Sequence, residues 1–149
     1  MVAPEPGMPG GPVPPLPPVP ATWGSRRVTE RAECILAPNP GVMTLDGTNT
    51  WVLREPGAGM SIVIDPGPLD PAHLDRVRAA ATAEDAHVGL VLLTHDHADH
   101  AEAAVAFAER SGAPLRAVRA GGAGHDALTH GDRAGAGGSE IARVPTPRP

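Results

Sequence analysis

The chain has 149 residues, a formal net charge of −5 and a single cysteine. The length fits one domain, and the acidic balance excludes a globally basic nucleic-acid footprint while leaving room for a local cationic groove. No apolar run reaches the length of a membrane span and no secretory signal is visible, so we predict a cytoplasmic protein without a membrane partner.

Proline dominates the first residues of the chain, which offer few side chains able to fill a core. We therefore predict a disordered, proline-rich leader over residues 1–25, followed by a partial domain over residues 26–149. The segment Pro14-Pro15-Leu16-Pro17-Pro18 leaves open a minor reading in which the leader is a polyproline II ligand for a partner protein.

Three strands are predicted in the first half of the domain, over residues 28–36, 48–53 and 60–65. The second and third are separated by a Gly/Pro turn over residues 56–59, which is typical of an antiparallel hairpin. Cys34 lies in the first of these strands, has no intrachain partner for a disulfide, and is expected to be a small buried apolar residue.

A helix is predicted to follow, because Asp70 can cap it and Leu74, Val77 and Ala81 fall on one face at helical spacing. The next segment, residues 88–93, is apolar throughout, as expected for a strand that is covered on both faces.

A second helix is predicted over residues 101–111 and a short strand over residues 115–118. Residues 120–138 are rich in glycine and have no periodicity, and residues 140–144 form a last predicted strand. This order of elements predicts the α/β class, with a mixed sheet and helices on one face.

Three histidines and two aspartates follow the apolar strand directly, in the run Thr94-His95-Asp96-His97-Ala98-Asp99-His100. In an extended segment the side chains of His95 and His97 project to the same side, so both imidazoles can reach one ion. Asp99 and His100 come after the chain turns toward the helix and could serve a second ion. A mixed nitrogen and oxygen ligand set suits zinc, with iron or manganese as alternatives.

Asp65 ends the third predicted strand, and two readings of it stay open. It either orients a ligand histidine from behind or is a plain acid in a strand-end turn. His73 and His87 are expected at the surface. His125 and His130 lie in the glycine-rich region and are kept as minor candidates for contact with metal.

These residues resemble a known family. The histidine-aspartate run after an apolar strand resembles the metal motif of the metallo-β-lactamase superfamily, and Ile64-Asp65-Pro66-Gly67 resembles the family's upstream strand end. The stretch from Asn39-Pro40-Gly41 to Gly47-Thr48-Asn49-Thr50-Trp51 is similar to the β-lactamase-like branch, whose relatives include glyoxalase-II-like enzymes and an endoribonuclease. The resemblance covers residues 32–144.

The resemblance implies that His95 and His97 bind a first zinc ion and that Asp99 and His100 bind a second. It also implies that Asp99 positions the attacking hydroxide and is in that sense catalytic. The expected activity is hydrolysis of an ester, thioester, amide or phosphodiester, on a small molecule or on RNA. The expected fold is the N-terminal half of a four-layer αββα sandwich.

The chain departs from the family pattern near its end. Relatives continue from the strand that matches residues 141–144 into Thr-Pro-Gly-His-Thr, whose histidine is the third ligand of the first zinc ion, whereas this chain reads Pro145-Thr146-Pro147-Arg148-Pro149. An alternative is therefore a truncated, inactive fragment that binds metal weakly. Half of a sandwich leaves an apolar sheet face uncovered, so we expect a homodimer through that face.

Overall fold

A computed structural model of the chain describes residues 26–118, 126–128 and 132–142. Its strands are β1 (Arg26–Arg27), β2 (Ala32–Leu36), β3 (Asn49–Leu53), β4 (Met60–Ile64), β5 (His87–Leu93), β6 (Leu115–Ala117), β7 (Asp126–Ala127), β8 (Arg133–Ala136) and β9 (Ser139–Ala142). Its helices are α1 (Pro71–Ala81), α2 (Ala98–Ala101) and α3 (Ala104–Ser111), with a 3₁₀ turn at Ala83–Asp85.

Strands β1 to β7 form one mixed sheet in which the spatial order equals the chain order. The strands from β1 to β4 pair antiparallel, and those from β4 to β7 pair parallel. Strands β8 and β9 form a separate antiparallel pair. The prediction of an α/β protein with a mixed sheet is confirmed, and the predicted hairpin of β3 and β4 is present.

The helices cover one face of the sheet. Asp70 caps α1 by accepting a hydrogen bond from the backbone N–H of His73 at 2.7 Å, as the sequence predicts for a helix start. The buried side chains that join the helices to the sheet are Ile35, Val52, Val63, Leu74, Val77, Ala81, Val88, Val91, Ala103, Phe107 and Ala108. This cluster holds β5 in place, and the histidine-aspartate run follows the carboxyl end of that strand.

The hairpin of β8 and β9 packs on the opposite face. Ile62, Leu90 and Leu92 are buried there together with Leu128 and Ala134. The expectation of an uncovered apolar face is therefore wrong at the centre of the sheet, because the glycine-rich region supplies a strand that the sequence analysis missed. Around this centre, other apolar side chains of the same face are half-buried, namely Trp51, Leu53 and Ile64.

Two predicted elements differ from the observed ones. The strand predicted over residues 28–36 begins only at Ala32, because residues 28–31 form the turn between β1 and β2, in which the N–H of Val28 donates to the carbonyl of Ala32 at 2.8 Å. The predicted helix over residues 101–111 begins earlier and is split into α2 and α3. It breaks at Ala103, because the N–H of this residue donates to the carbonyl of Gly67 at 3.1 Å.

The burial of three single residues can be compared with the sequence-based predictions. His87 is exposed as expected, but the surface position predicted for His73 is wrong because its side chain is fully buried. Cys34 is half-buried rather than buried. The leader, His125, His130 and the last seven residues lie outside the described residues, so the division into leader and domain stays a prediction. Among the described residues no helix is long and apolar enough to cross a membrane.

Candidate metal centre

Three segments meet at one edge of the sheet. The histidine-aspartate run leaves the carboxyl end of β5, and Asp65 leaves the carboxyl end of the neighbouring parallel strand β4. Strand β3 runs antiparallel to β4, so its amino end, preceded by Thr48, lies at the same edge. Ligands of open α/β sheets gather beyond the carboxyl ends of the strands, which makes this edge the natural place for a site.

Three imidazoles converge at this edge. The ring centroid of His95 lies 4.6 Å from that of His97 and 4.1 Å from that of His100. One nitrogen or oxygen atom from each of Asp65, His95 and His100 lies within 4.8 Å of the others. His97 is exposed and lies outside this closest group. Asp99 approaches from another side, with its Oδ2 3.2 Å from Nε2 of His100.

The carboxylate of Asp65 is buried and holds the start of the histidine-aspartate run. Its Oδ1 accepts from the backbone N–H of Thr94 at 2.8 Å, and its Oδ2 accepts from the Thr94 hydroxyl at 2.6 Å. The same Oδ2 lies 2.9 Å from Nδ1 of His100. The backbone of Asp65 has a φ of 51°, a left-handed conformation that aspartate tolerates better than most residues. Its contacts agree with the reading in which Asp65 orients a ligand histidine.

Hydrogen bonding around Asp65 selects the tautomers of two histidines. A carboxylate only accepts, so the single hydroxyl hydrogen of Thr94 points to Asp65 and Nδ1 of His100 carries a hydrogen. The Thr94 oxygen then accepts from Nδ1 of His95, which lies 2.8 Å away. In the neutral rings of His95 and His100, Nε2 is therefore the nitrogen that keeps a lone pair. This is the arrangement that a metal-binding histidine requires.

The donor set fits a transition-metal ion. With its Nδ1 hydrogen committed, the lone pair at Nε2 of His100 lies against an Asp99 carboxylate oxygen, and two electron-rich atoms at 3.2 Å repel each other unless a proton or a cation lies beside them. The imidazoles of His95 and His100 and the nearby carboxylates form a nitrogen and oxygen ligand set at this edge of the sheet, and such a set suits zinc, iron or manganese.

Asp99 lies in the short helix α2 and reaches back to the loop before β3. Its Oδ2 accepts a hydrogen bond from the Thr48 hydroxyl at 2.8 Å. Partial burial by itself raises the pKa of the Asp99 carboxyl. The Thr48 hydrogen bond, together with the positive charge that His100 carries when both of its ring nitrogens are protonated, outweighs burial and lowers the pKa below its ordinary value. Asp99 is therefore held as a carboxylate beside the imidazoles.

Two hydroxyl groups organise this edge, and no sequence pattern predicts their role. Thr94 lies at the start of the run, where its proximity to Asp65 depends on the pairing of β4 with β5. Thr48 lies 51 residues before Asp99, and no local pattern joins them. The resemblance of Gly47-Thr48-Asn49-Thr50 to a family stretch was the one signal that pointed to this loop.

A cleft of about 340 Å³ opens in front of Asp99 and His100. Thr48 and Asp65 line its polar side, and Trp51 lies on an apolar wall. The loop between β2 and β3 forms the rim, with large apolar side chains that are mostly exposed to solvent, namely Val42, Met43 and Leu45. The cleft is large enough for a small molecule or for one end of a longer substrate.

Comparisons with known proteins place the chain among related sequences and folds. The sequence profile of the Metallo-beta-lactamase superfamily matches residues 43–149. An atrochrysone carboxyl ACP thioesterase of Aspergillus chevalieri is 37% identical over 76 residues, which are 50% of this chain and 24% of that protein. A beta-lactamase-like protein 2 homolog of Drosophila melanogaster is 41% identical over 76 residues, which are 50% of this chain and 25% of that protein.

Among solved structures, a beta-lactamase domain protein from Burkholderia ambifaria matches with a TM-score of 0.61 at 20% identity. The match covers 82% of this chain and 47% of that one. The chain thus spans about a quarter of the length of the two curated relatives and about half of the solved chain. At this identity the structural likeness concerns the fold alone, which agrees with the mixed sheet described above.

Proposed function

The chain belongs to the metallo-β-lactamase superfamily, and from this premise we propose that it supplies the metal-binding edge of a zinc-dependent hydrolase. One observation carries the proposal: the buried carboxylate of Asp65 orients two histidine rings through their Nδ1 atoms. Nδ1 of His100 donates to Asp65 directly, and Nδ1 of His95 donates to the Thr94 hydroxyl, which in turn donates to Asp65. Such a carboxylate-histidine arrangement orients ligand rings and raises their basicity in metal sites.

The proposed ligands are four residues of the run after β5. His95 and His97 would hold a first ion, and Asp99 and His100 a second, with iron or manganese as alternatives to zinc. Bound metal would polarise the substrate carbonyl or phosphoryl oxygen and make a water easier to deprotonate. Asp99 is the proposed catalytic residue, because its carboxylate can accept a hydrogen bond from that water and hold it against the substrate.

The proposed reaction is hydrolysis of an ester, thioester, amide or phosphodiester. The relative from Aspergillus chevalieri is called an acyl-carrier-protein thioesterase, which favours a thioester of a small molecule as the first substrate to assay. RNA remains the alternative substrate that the sequence resemblance suggested. The matched part covers about a quarter of that relative, so its name serves only to choose the class of substrate to assay first.

Metal analysis combined with hydrolysis assays tests the proposal. The purified chain is loaded with Zn²⁺, dialysed and analysed beside His95→Ala and beside His87→Ala, an exposed histidine at the start of β5 that serves as the control. We expect about two zinc ions per chain and hydrolysis of a generic thioester or phosphodiester. His95→Ala should lose both, and His87→Ala should lose neither. Less than one ion per chain without turnover would instead support the reading of a weak metal binder.

We further propose a second copy of the chain as partner and the cytoplasm as location. The second copy would pack on the apolar face around the half-buried Leu53, which does not line the cleft. Sedimentation equilibrium at micromolar concentration should then show a dimer, and a well-folded monomer would contradict it. Cell fractionation tests the location, since a cytoplasmic chain should separate with the soluble fraction.

A further inference from the structure

The loop before β3 contains a side-chain clasp that involves Asn39 and Thr48. The amide oxygen of Asn39 accepts from the backbone N–H of Thr48 at 2.9 Å, and its Nδ2 lies 3.1 Å from the Thr48 hydroxyl oxygen. The backbone N–H needs an acceptor, so the amide is oriented with its oxygen toward that N–H and its NH₂ toward the hydroxyl. One side chain thus fixes both the backbone and the hydroxyl group of Thr48.

The clasp determines where the Thr48 hydroxyl points. Nδ2 of Asn39 only donates, so the Thr48 oxygen is the acceptor in that contact and its hydrogen is directed elsewhere. At 2.8 Å from the oxygen lies Oδ2 of Asp99, a carboxylate that only accepts. The hydrogen therefore points to Asp99. Thr48 is 4% exposed, so water competes little with this bond.

The backbone around Thr48 is also held rigidly. Its carbonyl accepts from the N–H of Ala37 at 2.9 Å, and the Thr44 hydroxyl closes the loop on the carbonyl of Asn39 at 2.5 Å. Gly47 has a φ of 139°, and a Cβ there would lie 2.1 Å from the carbonyl oxygen of Ala37. The loop can come this close to β2 only with glycine at this position. Thr48 therefore offers a fixed point to which a neighbouring group can be tied.

We propose that Thr48 is a positioning residue for Asp99, with Asn39 setting the direction of its hydroxyl. The inference deepens the proposed function, because Asp99 is there a metal ligand and the catalytic carboxylate. Asp99 itself lies in a helix of four residues at the surface, and its side chain is 29% exposed. Without Thr48 the carboxylate can rotate about its side-chain bonds, and the ligand atoms are no longer arranged before an ion arrives.

The loss of such an outer partner lowers metal affinity by roughly 10- to 100-fold in other metal sites. We expect a loss in this range for Thr48→Val, which keeps the branched shape and removes only the hydroxyl. Thr48→Ser restores the hydroxyl and should recover affinity to within about threefold of the wild type. Thr82→Val is the matched control, because in the described part of the chain the Thr82 hydroxyl donates to the carbonyl of Arg78 in its own helix.

Titration of the metal-free chain with Co²⁺, followed by visible absorption, measures these affinities. The proposal is overturned if Thr48→Val binds Co²⁺ as tightly as the wild type, or if Thr48→Ser binds as weakly as Thr48→Val. For any substrate that the loaded chain hydrolyses, Thr48→Val should lower kcat more than it changes KM, because Asp99 positions the water rather than the substrate.

A second measurement needs no metal and separates the two proposals. The ¹³Cγ resonance of Asp99, assigned by its loss in Asp99→Asn, should shift in Thr48→Val and stay near the wild-type value in Thr48→Ser and Thr82→Val. A wild-type chain that takes up no Co²⁺ would contradict the proposed hydrolase while leaving this signal to decide the role of Thr48. An Asp99 signal that is the same in Thr48→Val and the wild type would contradict the positioning role.

Discussion

His73 is a buried histidine that holds the turn leading to the metal edge. Its Nε2 lies 2.9 Å from the Thr50 hydroxyl and 3.1 Å from the carbonyl of Pro66. A carbonyl only accepts, so Nε2 carries the hydrogen. Its Nδ1 is buried without a hydrogen-bond partner in the described part of the chain. Burial lowers the pKa of His73 below its ordinary value, and the charge of Arg76 lowers it further.

This lowered pKa makes the stability of the fold depend on pH. Above the ordinary value of 6.5 the ring is neutral in both the folded and the unfolded chain, so the contribution of His73 is fully present. As the pH falls below that value, the unfolded chain binds a proton that the folded chain does not, and stability is lost. We expect the free energy of unfolding of the wild type to fall more steeply between about pH 7 and about pH 5 than that of His73→Gln.

Urea denaturation at several pH values measures this difference. Glutamine keeps a donor near the position of Nε2 but does not titrate, so the two curves should diverge toward acid. His87→Gln, at an exposed position, should follow the wild-type curve. Parallel curves for the wild type and His73→Gln would show that folding does not lower the pKa of His73.

The types of residue along the chain indicated the metal motif but gave a wrong prediction for the burial of His73. The run from His95 to His100 is visible as a metal motif because its ligands are close in sequence. The surface position predicted for His73 followed from its polarity alone. Its spacing of four residues from Val77 places it on the same apolar face of α1, and this periodicity could have identified it as buried. The role of Thr48 could not be predicted, because its partner comes from a distant element.

At the scale of elements, Gly67 ties the end of β4 to the helices. Its N–H donates to the carbonyl of His100 and its carbonyl accepts from Ala103, each at 3.1 Å. Its φ is 91°, and a Cβ there would lie 3.1 Å from Nε2 of His73. We expect Gly67→Ala to lower the free energy of unfolding and to weaken metal binding, because the new methyl group displaces the turn that positions His100.

Gly57→Ala is the matched control for this prediction. Gly57 also has a positive φ, of 76°, but a Cβ there would meet no atom within 4 Å. The backbone cost is therefore shared by the two variants, and the difference between them isolates the contacts of Gly67. We expect Gly67→Ala to be less stable than Gly57→Ala by roughly 1–3 kcal/mol in chemical denaturation. Equal losses would mean that the turn absorbs the methyl group without moving.

Periodicity predicted the elements whose pattern is local and failed where a tertiary contact intervenes. Helix α1 and strand β5 carry clear apolar patterns and are present where the sequence placed them. The break between α2 and α3 is made by a backbone hydrogen bond from Ala103 to the distant Gly67. The residues next to the break are ordinary helix formers, so the local sequence does not predict it. Likewise β8 lies in a glycine-rich segment whose side chains show no alternation, and it forms through pairing with β9.

At the scale of the whole molecule, the two faces of the sheet are closed differently. Helices α1 and α3 cover one face, and Phe107 of α3 is buried against it. On the described part of the other face, the hairpin of β8 and β9 covers Ile62, Leu90 and Leu92. The hairpin fits tightly: a Cβ at Gly89 would lie 2.7 Å from the Cβ of Ala136. Strands β4 and β5, which carry Asp65 and the histidine run, lie directly beneath it, so the hairpin and the metal edge share a scaffold.

Placing a charge beneath the hairpin tests whether this cover contributes to stability. Ala134 is 5% exposed and packs with Leu128, whereas Ala106 is exposed on α3. Ala134→Asp should lower the free energy of unfolding by roughly 2–4 kcal/mol, because a carboxylate without a partner enters the apolar cluster. Ala106→Asp should remain within about 0.5 kcal/mol of the wild type.

The same pair of variants distinguishes a cover from a loose appendage. If the hairpin seals the sheet, Ala134→Asp destabilises the whole fold and weakens Co²⁺ binding, because the ends of β4 and β5 lose their common support. If the hairpin is dispensable, the hairpin alone detaches, and both the unfolding transition and the metal affinity match those of Ala106→Asp. The metal edge would then depend on the helical face alone, with the hydrogen bonds of Asp65 and Gly67 as its support.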